Sequence, residues 1–288
     1  MESTTRPQLN PLAMFMRQPK IYIHLPSNGE YWPEGSLEIS ETGEYPVFSM
    51  TAQDEMLLKI PDALMSGQAV VDVVQHCMPN IKNAWHTPTL DLDVILIAIR
   101  LATYGEMMKT PIKIGEVEMD YVVDLRTVMD SLQSNINWIP YISISEDLTI
   151  YVRPINYKQL SNAAIKTFET QKIIQMSNDE NISEEEKIRL FKESFSKLTN
   201  VTIGTISDTV YKIDSSNGST EDPEFIQEFI NNVDKKVFDK IQKHIETLKE
   251  QNSVKPVTVH VTDEMRENGI KGETLEIPLI FDASNFFA

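Results

Sequence analysis

Between Thr51 and Tyr104 the apolar residues change spacing three times, and each change predicts an element. Thr51 followed three positions later by Asp54 has the form of a capping box, in which side-chain oxygens accept from backbone N–H groups that a helix start leaves unpaired. The helix it opens must end before Pro61, whose ring removes a donor and restricts Ile60. Gly67 supplies a turn, and Val70, Val73, Val74 and Cys77 then recur at helical spacing. Thr87 and Pro88 read as the N-cap and first residue of a third helix. From Val94 to Ile99 this helix is apolar on every side, which predicts the buried centre of a domain. It is too short to cross a bilayer, and Arg100 interrupts it. Asp93 and Arg100, two turns apart, read as rim charges or a structural ion pair, with an electrostatic site as the functional alternative.

Shorter elements flank this stretch. Lys20–His24 and Glu44–Met50 read as strands, the first ending in a turn over Pro26–Gly29. Met108–Ile114 and Val117–Val123 alternate as a hairpin turning near Gly115 and Glu116. Asp124–Gln133 predicts a short helix and Leu148–Val152 a strand, with a junction between Ser134 and Asp147. From Asn156 the pattern is helical. Ser183–Glu186 has the form of a capping box, and Ile188, Phe191, Phe195 and Leu198 follow on one stripe, read as core rather than as a partner's groove. Spacing through Thr202, Ile206, Val210 and Ile213 continues that helix, although the Thr and Ile content also suits a strand. Ser215–Thr220 reads as a loop. Asp222 and Pro223 open a helix carrying Phe225 and Phe229, and Phe238, Ile241, Ile245 and Leu248 mark another. Val257–Val261 and Leu275–Phe281 close the chain as a hairpin. The fold expected is α+β: helix-rich, with small antiparallel hairpins packed on a central helical core. The divisions are an arm over 1–19, an α+β domain over 20–135, a mainly helical region over 136–255, and a hairpin with an aromatic tail over 256–288 that packs back on the α+β part.

Charge narrows the partners. A net charge of −17 argues against nucleic acid or an anionic membrane, since phosphate binding needs clustered Lys and Arg. It suits a protein partner with a basic face. The single cysteine, Cys77, allows no internal disulfide, and the N-terminal residues lack the apolar core of a secretion signal. Both point to a cytosol. No phosphate loop, dinucleotide fingerprint or nucleophile elbow is present, so no cofactor and no small-molecule substrate is expected. His76 beside Cys77 invites a nucleophile reading, but Cys77 falls on the Val70/Val74 stripe and reads as core. Carboxylate runs such as Glu184–Glu186 read as solvated surface. No catalytic or metal-binding residue is assigned. Met14, Phe15, Phe286 and Phe287 are the candidate partner-binding residues, as apolar groups near the chain ends.

Four stretches carry a resemblance: Met50–Val70 (MTAQDEMLLKIPDALMSGQAV), Pro79–Trp85 (PNIKNAW), Ile97–Gly105 (IAIRLATYG) and the closing Pro278–Ala288 (PLIFDASNFFA). They resemble the baseplate hub assembly proteins of T4-like contractile-tailed bacteriophages. The resemblance implies a non-enzymatic, chaperone-like assembly factor that holds hub or tape-measure subunits. It places the chain in the host cytoplasm during assembly, and in the tail baseplate if it stays with the virion. The alternatives are a stoichiometric subunit of the hub and a hub-associated cell-wall hydrolase acting through carboxylates. In many relatives the family pattern implies cysteine pairs for zinc near the 108–123 hairpin and near the C-terminus. This chain has Ile114–Met119 and Asp263–Gly269 at those places, which excludes a structural zinc site of that kind.

Overall fold

The computed structural model describes residues 12, 15–114, 117–134, 136–177, 182–267, 270, 272–277 and 279. Within the described residues the fold is α+β, with helices dominant and four small antiparallel sheets. Helix α1 (Ala52–Leu57) starts as its sequence requires. Thr51 Oγ1 accepts from the Asp54 N–H, and the Asp54 carboxylate accepts from the Thr51 N–H at 2.7 Å. Pro61 ends α1 and also opens a further helix, α2 (Pro61–Ser66), as its first residue. Gly67, at φ +81°, is both the C-cap of α2 and the N-cap of α3 (Gln68–Cys77). That left-handed conformation is open to glycine at little cost.

Helix α4 (Thr89–Tyr104) is the centre. Every residue from Val94 to Leu101 is buried. The helix begins one residue later than the Thr87–Pro88 pattern implies, with Pro88 as N-cap. Thr87 and Pro88 are held extended instead: Pro88 bridges Asn156, and the Thr87 carbonyl accepts from the Tyr157 N–H at 2.8 Å. Around α4 pack α3, the strands β1 (Pro19–His24) and β2 (Glu44–Phe48), the hairpin β3 (Met107–Ile114) and β4 (Val117–Asp124), and α5 (Leu125–Ser134). Their buried side chains form one core with those of α4.

A second core lies in the following segment. The sheet order is β5 (Tyr141–Ser145), β6 (Leu148–Val152), β7 (Val210–Ser215) and β8 (Gly218–Thr220), all antiparallel. Ile150, Val152, Val210 and Ile213 meet Ile226 and Ile230 of α8 (Pro223–Asn232) and Ile241, Ile245 and Leu248 of α9 (Lys235–Asn252). The stretch 134–147, read as a junction, supplies β5. The helix α7 (Glu184–Thr209) stops before Val210, so Val210 and Ile213 are strand residues, paired with β6. A ladder of hydrogen bonds to a neighbouring strand overrode the helical spacing there. Ser215–Thr220 is a strand-forming turn rather than an open loop. The chain closes with β9 (Val257–His260), α10 (Asp263–Glu267) and β10 (Thr274–Ile277), with β9 and β10 antiparallel. Phe281 lies outside the described residues.

Ile95 is completely buried in the middle of α4. We expect Ile95→Ala to lower unfolding free energy by about 2–5 kcal/mol, because α4 is enclosed on all sides and cannot relax into the space. Denaturant midpoints of the two proteins measure this.

Candidate partner-binding surface

The surface is built by a helical hairpin, α6 (Tyr157–Ser177) and α7. Its base is fastened to the first core. Tyr157 packs there and stacks on Trp85 with ring centroids 5.7 Å apart, and Ser161 Oγ donates to the Ser66 carbonyl at 3.3 Å. Gly67 is required at this join, since a Cβ would come within 2.8 Å of Ser161 Oγ. Beyond the base, neither core takes a residue from α6 after Tyr157 or from α7 before Ile203, among the described residues. At 1.5 Å per residue, about 28 Å of α7 precedes Ile203.

Along that length the two helices mainly cover each other. Thr170 and Ser194 are buried to 1% exposure, while the residues around them are larger and half-buried or exposed. Small side chains at such positions let helix backbones approach closely. The outward face is apolar. Ile188, Phe191 and Phe195 of α7 occupy one stripe, with the two rings 60% and 66% exposed, and Phe168 and Met176 of α6 are exposed as well. Phe191 and Phe195 flank a shallow recess with Lys192, Ser196, Thr199 and Asn200. Charges interleave with the stripe: Arg189 pairs with Glu186 at 2.6 Å, and Lys197 with Glu193 at 2.8 Å. Ser183 caps α7 by accepting from the Glu186 N–H. Glu186 is drawn to Arg189, which holds its carboxyl below the usual range.

The core reading of the phenylalanines is therefore corrected. Phe191, Phe195 and Phe225 are all exposed, and α8 buries Ile226 and Ile230 instead. Leu190, Ser194, Leu198 and Val201 form the inward row of α7, each less exposed than the Phe191/Phe195 row. The readable signal was that α7 carries two apolar-leaning rows where one would suffice for a surface helix. Of the residues proposed near the chain ends, Phe15 is 77% exposed. Met14, Phe286 and Phe287 lie outside the described residues.

The His76–Cys77 pair resolves into structure. His76 Nδ1 lies 2.8 Å from Asp54, an arrangement that resembles the orienting half of a catalytic triad. Cys77 is fully buried, and burial first, with the nearby Asp54 charge second, pushes its thiol up to about 12. Adjacent residues on a helix do not face each other, so Cys77 cannot serve His76 as nucleophile. Burial opposes ionisation of Asp54, but the Thr51 N–H and the His76 and Thr51 side chains outweigh it and hold the carboxyl low. Arg17 completes the cluster, donating to the carbonyls of Ser49 at 2.8 Å and His76 at 2.7 Å. The group fastens the chain ahead of β1 to the first core.

Asp93 and Arg100 form no ion pair, since residues seven apart are separated by about 10 Å along a helix. Arg100 lies 5.1 Å from the Tyr104 ring centroid. Asp93 opens into a cavity of about 240 Å³ at the seam of the two cores, shared with Trp138, Ile155 and Lys249. Burial pushes its carboxyl up to about 6. The larger cavities each hold one described carboxylate, namely Asp93, Asp124 and Asp208. Among the described residues no cluster of three metal-ligating side chains occurs, and no helix is long and apolar enough to cross a membrane.

Comparison with known proteins adds a single family. Residues 16–272 match the T4 bacteriophage base plate protein family. The chain belongs to that family. No curated protein and no solved structure matches it significantly. A baseplate protein works among other proteins, and the family membership covers both cores and the α6–α7 hairpin. The family description names a structural assembly and not an enzyme.

Two outcomes follow from this chemistry. Folded Asp93 holds its proton more tightly than an unfolded Asp, whose value is about 4. The stability it contributes is complete below that value and is lost as pH rises through about 6. Asp93→Asn should therefore stabilise the baseplate protein by about 2–3 kcal/mol at pH 8 and change little at pH 3.5. Thermal melts at both values check it. A chelator should leave the melting temperature unchanged, because a chain without a cysteine cluster has no zinc-linked folding energy to lose.

Proposed function

We propose that this baseplate protein is a non-enzymatic assembly factor that holds another baseplate protein against the exposed face of the α6–α7 hairpin. The observation that carries the reading is the apolar stripe of Ile188, Phe191 and Phe195, displayed on a helical arm whose base alone is built into the molecule. An exposed aromatic row of this kind is a liability for a soluble chain unless a partner covers it. The chain's net charge of −17 favours a partner whose apolar patch has a basic rim. Hub or tape-measure subunits are the clients, engaged in the host cytoplasm while tails assemble. Isolated carboxylates in the larger cavities give no paired acid and base for hydrolysis of cell wall, which disfavours that alternative.

The test uses Phe191→Glu with Phe195→Glu in the full chain. Both side chains are exposed, so the melting temperature should stay within error while co-purification of baseplate proteins from infected cells falls at least tenfold. Undiminished co-purification would remove the stripe from the interface. Mass spectrometry of purified tails then separates the two baseplate roles. An assembly factor is depleted relative to hub subunits, whereas a structural subunit is present in fixed proportion to them.

A further inference from the structure

The largest cavity, about 580 Å³, is an apolar groove between β4, α5 and the link from α9 to β9. Val128 and Leu132 line it from α5, Val122 from β4, and Pro256 and Val257 from the link. Met107 and Val122 are exposed there, so the groove leaves apolar surface in contact with water. The register of the closing hairpin shows what runs toward it. Ile277 of β10 lies opposite Val257 of β9, and the strands are antiparallel. Each residue after Ile277 therefore advances toward a residue before Val257. Leu279 comes level with Lys255, and the residues after it are directed past Ser253, Asn252 and Gln251, all of which line the groove. Leu279 is itself partly buried against the first core, as are Val254 and Val257.

We propose that the groove is the seat of the chain's own residues 280–288, with Phe281, Phe286 and Phe287 covering Val122, Val128 and Leu132. Three observations converge on this occupant: the exit direction of β10, the burial of Leu279 on the approach, and an unfilled apolar floor. Nine extended residues reach about 30 Å, ample for a groove of this size. Seating a segment of the same chain also avoids the loss of translational freedom that a separate partner would incur. The inference is independent of the role given to the α6–α7 arm.

The test attaches a nitroxide label at residue 288 through Ala288→Cys in the full chain. Cys77 is fully buried with its thiol pushed up to about 12, so it does not compete for the reagent. Methyl signals of Val122, Val128 and Leu132 should be lost in the oxidised sample and return on reduction, while that of Ile188 on α7 persists. Adding Phe286→Ala and Phe287→Ala to the labelled chain should restore the groove signals. Broadening no stronger in the groove than at Ile188 would overturn the proposal. So would equal broadening when labelled chain without isotopes is mixed with isotope-labelled, unmodified chain, because that result would place a second copy's tail in the groove.

Discussion

Complete burial of α4 is the constraint on which the other parts depend. A helix enclosed on every side can present no polar group that lacks a partner. Asp91, in its first turn, is fully buried, and three donors meet it: the Ser27 N–H at 2.7 Å, Ser27 Oγ at 2.5 Å and Trp32 Nε1 at 2.8 Å. The irregular chain after β1 is thereby held over the start of α4. At the other end Thr103 Oγ1 accepts from the Met50 N–H at 2.9 Å, fastening the segment that leads into the α1 capping box. The loops close to α4 are ordered because its few polar atoms require them.

The same helix positions the arm. The Thr89 N–H donates to the Ile155 carbonyl and the Tyr157 N–H to the Thr87 carbonyl, both at 2.8 Å, so the starts of α4 and α6 are hydrogen-bonded together. The hairpin's root is as firmly held as the core, while its distal part rests on a seam containing Thr170 and Ser194. Ser194 Oγ is buried there with no hydrogen-bond partner, a local cost that a purely structural seam could have avoided with alanine. A rigid root with a marginal tip suits a surface that must adapt to a client.

The central half was legible because its signals agree. Capping box, proline, glycine and an all-apolar run each point to the same elements, and the structure contains them at nearly those boundaries. The second core was legible only in part. Val210 and Ile213 fit a helical row as well as a strand, and β6, which decides between them, lies some sixty residues away in sequence. β5 escaped because Tyr141–Ser145 follows Pro140 and mixes serine with isoleucine, as a loop does. The partner surface was misread because periodicity states that residues share a face and not whether that face is covered. Ile188, Phe191 and Phe195 fit a core stripe in spacing, and only the packing of Ser194 toward α6 turned them outward.

Hydrogen exchange of the full chain, alone and with a co-purified client, tests the central claim most directly. The account predicts that amides of 94–101 in α4 exchange only with global unfolding, and that amides of 184–200 in α7 exchange through a local opening of much lower free energy. It predicts further that the client slows 184–200 and leaves α4 unchanged. Distal α7 as slow as α4 in the free chain, or no slowing there when the client is bound, would contradict it.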